Sequence, residues 1–330
     1  MRSIKLLPLA ALPLLGCAAP AQLNASAPAG VALPDPVAEP QPFTSSAPFA
    51  AAPLAATDDG LFSARWADNP WNGRLTDPVT QPYWFESPLH HTSVRPVIIR
   101  HWFPSDSVFK GGTLDVLALQ ARLAITQRFS VIATKDGYFN LEPDEPALEG
   151  DGYADIAGGA KYAFIDDPSA GYLLTGGLVF ELSQGTREVF QGNGDGVLRP
   201  FVSGAWDREE LDLLYTLGLN YPLDDDAEST SFDFHLNATY AATENLRPMI
   251  EFNGIHYISD GSAAPFDFEG VDVVNLGSND VAGNTIVTGA IGGRWLIGDN
   301  ASIGLAYELA LSGRQDIFDD RVMLDLILKL

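Results

Sequence analysis

The composition of this 330-residue chain is that of an average soluble protein, with 46% hydrophobic and 19% charged residues and a mean hydropathy of +0.04. No apolar run beyond the amino terminus is long enough to span a bilayer as a helix, which excludes a helical membrane protein. The 43 acidic and 19 basic residues give a formal charge of −24, which argues against nucleic acid as a partner.

The amino terminus has the pattern of a secretory signal, because a basic stretch precedes the apolar run of residues 6–15. Leu14-Leu15-Gly16-Cys17 resembles a lipobox, which predicts removal of residues 1–17 and lipidation of Cys17, the one cysteine of the chain. Ordinary cleavage within residues 18–21 is the alternative. Either way, the exported protein would lack a disulfide framework.

Two further segments precede the repeating part of the chain. Residues 18–60 are rich in Ala and Pro without any period, which predicts a disordered linker. Residues 61–91 are rich in aromatic residues and proline, so we expect them to be ordered against something larger, as a periplasmic or lumen-associated segment.

Residues 92–330 alternate with period two, which is typical of strands with one apolar face. In residues 232–240, for example, one face of the predicted strand would carry Phe232, Phe234, Leu236, Ala238 and Tyr240, and the other face Asp233, His235, Asn237 and Thr239. Alternation over about ten residues exceeds an ordinary strand and suits a tilted strand that crosses a bilayer. Runs of similar length predict twelve strands: 94–103, 113–125, 129–139, 153–165, 171–182, 197–206, 211–221, 232–240, 248–258, 284–297, 302–311 and 321–330.

The connections between these strands alternate between short polar turns and long acidic, Gly-rich loops, and aromatic residues gather near both strand ends. Both features are typical of outer-membrane barrels, with turns in the periplasm and loops outside. We therefore predict an all-β fold, a transmembrane up-and-down antiparallel barrel of about twelve strands with a polar lumen.

The parity opposite the apolar face carries ionisable residues that would point into the lumen. They are Arg122, Asp155, Lys161, Glu181, Arg199, Asp212, Asp233, His235, Glu251, Arg294, Glu308 and Asp325. Charges inside a twelve-stranded barrel must be hydrated or paired, so the lumen either conducts water or is filled by a salt-bridged network. For each residue, structural pairing competes with direct solute contact as its role.

Other chemistry has little support in the sequence. None of the five histidines forms a ligand-spaced pair, so no metal site is predicted. Residues 191–196 resemble the middle of a calcium loop but lack its leading Asp and closing Glu, and a solvated turn is the alternative. No catalytic or cofactor-binding motif is present, so we predict neither a cofactor nor an enzyme.

Several stretches resemble the outer-membrane barrel family associated with meta-pathway phenol degradation. They are Gly152-Tyr153-Ala154-Asp155-Ile156-Ala157-Gly158-Gly159-Ala160-Lys161-Tyr162, the loop 188–196, Asp267-Phe268-Glu269-Gly270, and Phe85-Glu86-Ser87-Pro88 with Arg95-Pro96. The resemblance covers residues 83–330 and implies a barrel with a transporter-like role. The chain departs from many outer-membrane barrels in ending with Leu330 instead of an aromatic residue, and a lipobox is unusual before a barrel.

These observations lead to three functional hypotheses for a protein of the outer membrane. The first is a narrow channel or transporter for small solutes, including hydrophobic or aromatic ones. The second is a structural or adhesive barrel whose acidic loops bind ions, lipopolysaccharide or a partner. The third is a barrel lipid hydrolase, for which no Ser/His pair stands out by its spacing. In each case the surrounding lipid and lipopolysaccharide are expected partners.

Overall fold

The computed structural model describes residues 66–330, which form a sheet of antiparallel strands. The strands are β1 (Ser93–Trp102), β2 (Gly112–Ala124), β3 (Phe129–Lys135), β4 (Tyr138–Pro143), β5 (Gly150–Tyr153), β6 (Ile156–Asp167), β7 (Tyr172–Leu182), β8 (Val197–Arg208), β9 (Leu211–Pro222), β10 (Thr230–Tyr240), β11 (Leu246–Ser259), β12 (Thr285–Ile297), β13 (Ala301–Ala310) and β14 (Asp320–Lys329). Short 3-10 helices span Trp66–Asp68, Pro146–Leu148 and Arg187–Val189. None of the helices within 66–330 has the length and apolarity needed to cross a membrane.

The sheet closes on itself, because β1 pairs with both β2 and β14. β2 pairs with β3 over one half of its length and with β4 over the other half, and β4 and β5 continue the lines of β3 and β6. Two barrel strands are thus each interrupted once, and the fourteen segments make twelve barrel strands. The predicted all-β antiparallel barrel of about twelve strands is confirmed.

The interruption between β3 and β4 is a local bulge at Asp136 and Gly137. Gly137 has a φ of +130°, and a Cβ there would lie 2.8 Å from the Leu117 carbonyl oxygen of β2. The Asp136 carboxylate accepts a hydrogen bond from the Leu119 amide at 2.8 Å. Because glycine tolerates this conformation and Asp136 satisfies the freed amide, the strand can break here without opening the barrel.

Inward and outward faces differ as the alternation predicts. In β9, Asp212, Thr216 and Asn220 are buried, whereas Leu213, Leu217 and Tyr221 on the opposite parity are exposed. The outer surface carries a wide belt of exposed aliphatic side chains from most strands. Such a belt is stable in hydrocarbon and costly in water.

A charge placed in this belt is expected to destabilise the barrel. Leu305, near the middle of β13, is 54% exposed, and Leu305→Arg should cost about 2–4 kcal/mol of unfolding free energy in lipid vesicles, measured by urea titration. Leu223→Arg is the matched control, because Leu223 is equally exposed but lies in a loop. Equal effects of the two substitutions would contradict a membrane-facing belt at β13.

The lumen is not polar along its whole length, which differs from our expectation. Between the middle of the barrel and the long-loop end, Val97 and Ile99 of β1 and Ile255 of β11 face inward in an apolar cluster, which extends to Met249 near the short-turn end of β11. Loop residues turn inward to complete this cluster: Val271, Val273, Val281, Ile317 and Phe318. The loops therefore cover the inner apolar faces, and this explains why β1 and β11 alternate weakly in sequence.

The predicted signal peptide (1–17) with Cys17, the linker (18–60) and the first residues of the 61–91 segment lie outside the described residues. The remainder of that last segment is described, and it runs inside the barrel.

Candidate functional site

The interior of the barrel at its short-turn end is occupied by residues 66–92, which we name the inner segment. Its apolar side chains pack on small and aliphatic side chains that project inward from the strands. The cluster consists of Trp66, Trp71, Leu75, Phe85 and Leu89 with Ala163, Leu173, Ala205 and Leu214. All nine side chains are buried, so the inner segment fills this part of the lumen.

Glu86 is the main acidic anchor of the inner segment. Its carboxylate accepts hydrogen bonds from Arg122 of β2 at 2.6 and 3.0 Å and from Lys161 of β6 at 2.7 Å. All three side chains are at least 94% buried. One inner-segment carboxylate therefore compensates two barrel cations that water does not reach, and it is the only carboxylate within ion-pairing distance of either one in the described chain.

Two barrel arginines hold the backbone of the inner segment. Arg95 donates to the Pro78 and Val79 carbonyl oxygens, both at 3.0 Å, and Arg294 donates to the Pro78 carbonyl at 3.1 Å. Asp325 of β14 pairs with both guanidinium groups, at 2.8 Å from Arg95 Nε and 2.7 Å from Arg294 Nη1. Since an extended segment has no internal ladder, these donors satisfy carbonyl groups that would otherwise be buried without partners.

Acidic residues of the barrel accept hydrogen bonds from the donor groups of the inner segment. Glu251 of β11 accepts from the Val79 and Thr80 amides at 2.9 and 2.7 Å. Glu308 of β13 accepts from the Gln81 side chain at 3.0 Å. Acidic and basic side chains of the barrel therefore together fix the path of residues 77–81.

A further cluster lies where the inner segment turns beneath β8 and β10. Arg199 pairs with Asp233 at 2.6 Å and donates to the Trp84 carbonyl at 2.8 Å. His235 contacts Asp233 at 3.0 Å, and its ring stacks on Phe85 with centroids 5.3 Å apart. Aromatic stacking and ion pairing act together here.

All twelve ionisable residues that the sequence assigned to the lumen can now be located. Seven bind the inner segment directly: Arg122, Lys161, Arg199, Asp212, Glu251, Arg294 and Glu308. His235 reaches the segment by stacking, while Asp233 and Asp325 act through the arginines they pair with. Asp155 and Glu181 lie apart, because Asp155 accepts the Gly185 and Gly192 amides and Glu181 pairs with Lys135. Whether the twelve line a conducting path stays a prediction.

Sequence reasoning missed several partners of this network. Arg321 and Lys329 share the parity of Asp325 on β14, so the pattern that selected Asp325 could have selected them as well. Arg95 lies on β1, where weak alternation hides the inward parity. The acids Asp77 and Glu86 had no periodic signal, because the inner segment has no period, and Glu86 was noted only within a stretch that resembles the barrel family.

The long-loop end is held by a second polar network. Glu269 is 1% exposed and accepts from Ser229 Oγ and from the Gly270, Leu276 and Ser278 amides at 2.7–3.1 Å. Gln191 and Asn193 also donate to carbonyls of the same loop, those of Val273 and Asn275. The calcium-like stretch 191–196 thus binds another loop. No group of three acidic, His or Cys residues in the described chain could hold a metal ion.

One ion-pair chain connects this loop network to the inner segment. Arg321 of β14 pairs with Asp272 of the 260–284 loop at 2.9 Å and with Glu308 at 2.7 Å, and all three are nearly or fully buried. Glu308 in turn accepts from Gln81. The inner segment and the inward-folded 260–284 loop, which both obstruct the lumen, are therefore connected through one buried arginine, Arg321.

A small cavity remains between the two obstructions. It has a volume of about 40 Å³, enough for a few water molecules, and is lined by Trp84, the Lys135–Glu181 pair and Glu228, among others. Glu228 Oε2 is buried and has no hydrogen-bond partner in the described chain. At this cavity Trp84 of the inner segment and residues 271–275 of the inward-folded loop face each other across an unfilled space.

The loop acid Glu228 is expected to make stability depend on pH. Burial, together with the nearby carboxylates of Glu181, Asp155 and Glu269, raises its pKa to about 8 against the opposing effect of Lys135. An acid with a raised pKa stabilises the fold fully below its ordinary value of 4.5, and this contribution is lost as pH rises through about 8. Urea midpoints should therefore fall over this range, and Glu228→Gln should flatten the curve.

Asp225→Asn is the matched control, because Asp225 is an exposed acid of the same loop. Its pH curve should be parallel to that of the unmodified protein. Parallel curves for Glu228→Gln as well would show that Glu228 does not titrate in this way.

The structure also brings one serine and one histidine together. His90 Nδ1 lies 2.8 Å from Ser130 Oγ, and its Nε2 lies 3.3 Å from Thr175 Oγ1. Ser130 is fully buried, and the second ring nitrogen faces a hydroxyl where a catalytic triad would have a carboxylate. We read the contact as packing of the inner segment against the wall.

Comparison with known proteins identifies the fold. No family model and no curated protein sequence matches the chain. A crystal structure of an outer membrane channel from Pseudomonas putida F1 is similar with a TM-score of 0.53 at 12% identity, over 78% of this chain and 100% of that one. The NanC porin (TM-score 0.46, 10% identity, 72% and 100% covered) and the KdgM porin in complex with disordered oligogalacturonate (0.40, 10%, 72% and 98%) are more distant.

Proposed function

We propose that the protein is a narrow, gated channel of the outer membrane for small solutes. The observation that carries the proposal is the way in which the lumen is filled. The inner segment is held by ion pairs and hydrogen bonds to the barrel wall, such as those of Glu86 and Arg294, and such contacts can be exchanged for water when the segment moves. A barrel needed only as a scaffold would be more stable with an apolar filling.

The proposed orientation follows from the connections. The short turns, the largest being 241–245, would face the periplasm, and the long loops such as 260–284 would face outward. In this orientation the inner segment closes the periplasmic half, and the inward-folded loops close the outer half. Membrane lipid would cover the aliphatic belt, and lipopolysaccharide would surround the loops.

The proposed solutes are small and partly hydrophobic or aromatic. The support is the apolar cluster at the outer end together with Trp84 beside the cavity, and the resemblance to the barrel family associated with phenol degradation. Lipidation at Cys17 also belongs to the proposal, and Cys17→Ser would then abolish incorporation of labelled fatty acid in the producing cell.

Conduction can be tested by locking the inner segment to the wall. Thr80 and Asn253 are hydrogen-bonded at 3.0 Å, so a Thr80→Cys/Asn253→Cys variant offers a reversible disulfide lock. In planar bilayers, we expect current and uptake of small aromatic solutes from the unmodified and the reduced variant protein, and silence from the oxidised variant. Absence of current and uptake from both unmodified and reduced protein would reject the channel.

A further inference from the structure

A crevice at the short-turn end has features that the proposed gate does not use. It has a volume of about 440 Å³ and lies between the start of the inner segment and the turns 241–245 and 298–300. Its walls include Trp66, Leu75 and Leu296, and this size and partly apolar lining are those of a small-molecule site.

The inner wall of this crevice concentrates hydrogen-bond donors. Arg247 and Ser302 are at most 7% exposed, and the Lys329 side chain is 10% exposed. The Ser302 hydroxyl oxygen accepts from Arg294, which leaves its own proton free to donate. The acidic residues of the crevice, Glu244 and Asp299, are both exposed. Lys329 is paired with buried Asp77 at 2.7 Å, so the cation of this crevice that has no ion-pair partner in the described chain is Arg247.

Arg247 is unusual in its charge environment. Arg294 lies directly across from it on β12, and like charges in opposed positions destabilise a sheet. Asp325 compensates Arg294, yet within residues 66–330 no carboxylate lies within ion-pairing distance of Arg247. Its Nη1 donates to the Thr243 carbonyl and lies 3.5 Å from that of Leu246, which leaves Nε and Nη2 without an acceptor in the described chain.

We propose that this crevice binds a small organic carboxylate, whose charged end pairs with Arg247 and Ser302 and whose apolar body lies along Trp66 and Leu75. The inward parity of Arg247 separates the site from membrane lipid, so the ligand reaches it from the aqueous side. A planar carboxylate suits a guanidinium group with two free donors. The inference does not depend on conduction, because binding is measured on the closed protein in detergent.

Calorimetry with sodium hexanoate on the full chain in a non-ionic detergent tests the proposal. We expect saturable binding of hexanoate, no measurable binding of the neutral hexanamide, and at least about tenfold weaker binding to Arg247→Gln. Arg247→Lys should lie between, and Arg208→Gln, at an exposed arginine of the same end, should bind like the unmodified protein.

Thermal unfolding separates binding from a turn-capping role of Arg247. If Arg247 only holds the turn 243–246, Arg247→Gln lowers the melting temperature and leaves hexanoate affinity unchanged, which overturns the proposal. If the site is as proposed, Arg247→Gln weakens hexanoate binding whether or not the melting temperature falls, since Arg247 also donates to the Thr243 carbonyl. Equal affinity for hexanoate and hexanamide, or equal affinity for hexanoate and inorganic phosphate, would also overturn it.

Discussion

Replacing Glu86 with alanine is expected to release the inner segment and open the proposed channel. The substitution leaves Arg122 and Lys161 buried without a carboxylate, and breaking a buried pair in this way costs about 3–5 kcal/mol. That free energy disfavours only the closed state, since water can solvate both cations once the segment leaves. The conducting fraction in planar bilayers should rise on the order of a hundredfold or more, with faster trypsin cleavage after Arg74.

Glu188→Ala is the matched control, because Glu188 is an exposed acid outside the lumen. It should leave both current and cleavage unchanged. If Glu86→Ala produced a stable barrel with unaltered current and an inner segment that trypsin still does not cut, the segment would be a permanent filling and not a gate.

Replacing Arg321 with glutamine should have the largest effect on stability. It leaves Asp272 and Glu308 buried without a cation, and each uncompensated carboxylate carries a desolvation cost of several kcal/mol. We expect the free energy of unfolding in lipid vesicles, measured by urea titration, to fall by about 3–5 kcal/mol. The 260–284 loop should also become sensitive to proteases.

A double variant distinguishes loss of charge compensation from loss of packing. Asp272→Asn alone keeps the Arg321–Glu308 pair and should mainly free the loop. Combined with Arg321→Gln, it removes one of the two buried carboxylates that have lost their cation, so the double variant should be more stable than Arg321→Gln alone. Strict additivity of the two losses would show that Asp272 and Arg321 are not coupled.

Local pattern predicted the barrel because a bilayer imposes one rule on every strand. In β9, β10 and β14 every outward residue except the first of β10 and of β14, Thr230 and Asp320, is apolar, and the inward residues are free to be polar. Period two is therefore visible without knowledge of the neighbours. The rule fails for β1 and β11, where apolar loop residues cover inward-facing valine, isoleucine and methionine. Their parity depends on contacts from distant loops, which a single strand does not encode.

The inner segment could be predicted to be ordered, but its position could not. Its contacts join residues far apart in sequence, such as Glu86 with Lys161 and Val79 with Glu251. Its conformation is irregular, with one 3-10 helix and several turns, so no period identifies a buried face. An inward charge such as Arg321 is recognisable from the alternation of its own strand, but the distant group that neutralises it is not.

The hydrogen bonding at Trp66 bears on the order in which the protein assembles. The Trp66 amide donates to the Leu330 carbonyl at 3.2 Å, and β1 joins β14 to complete the wall. The portion of the described chain that is synthesised first therefore acquires its partner only after the final residue has arrived. The inner segment must therefore be enclosed while the barrel closes. A chain truncated before β14 would lose the Lys329–Asp77 pair and the closed wall, although the contacts of the inner segment to β2, β6, β8 and β11 would remain.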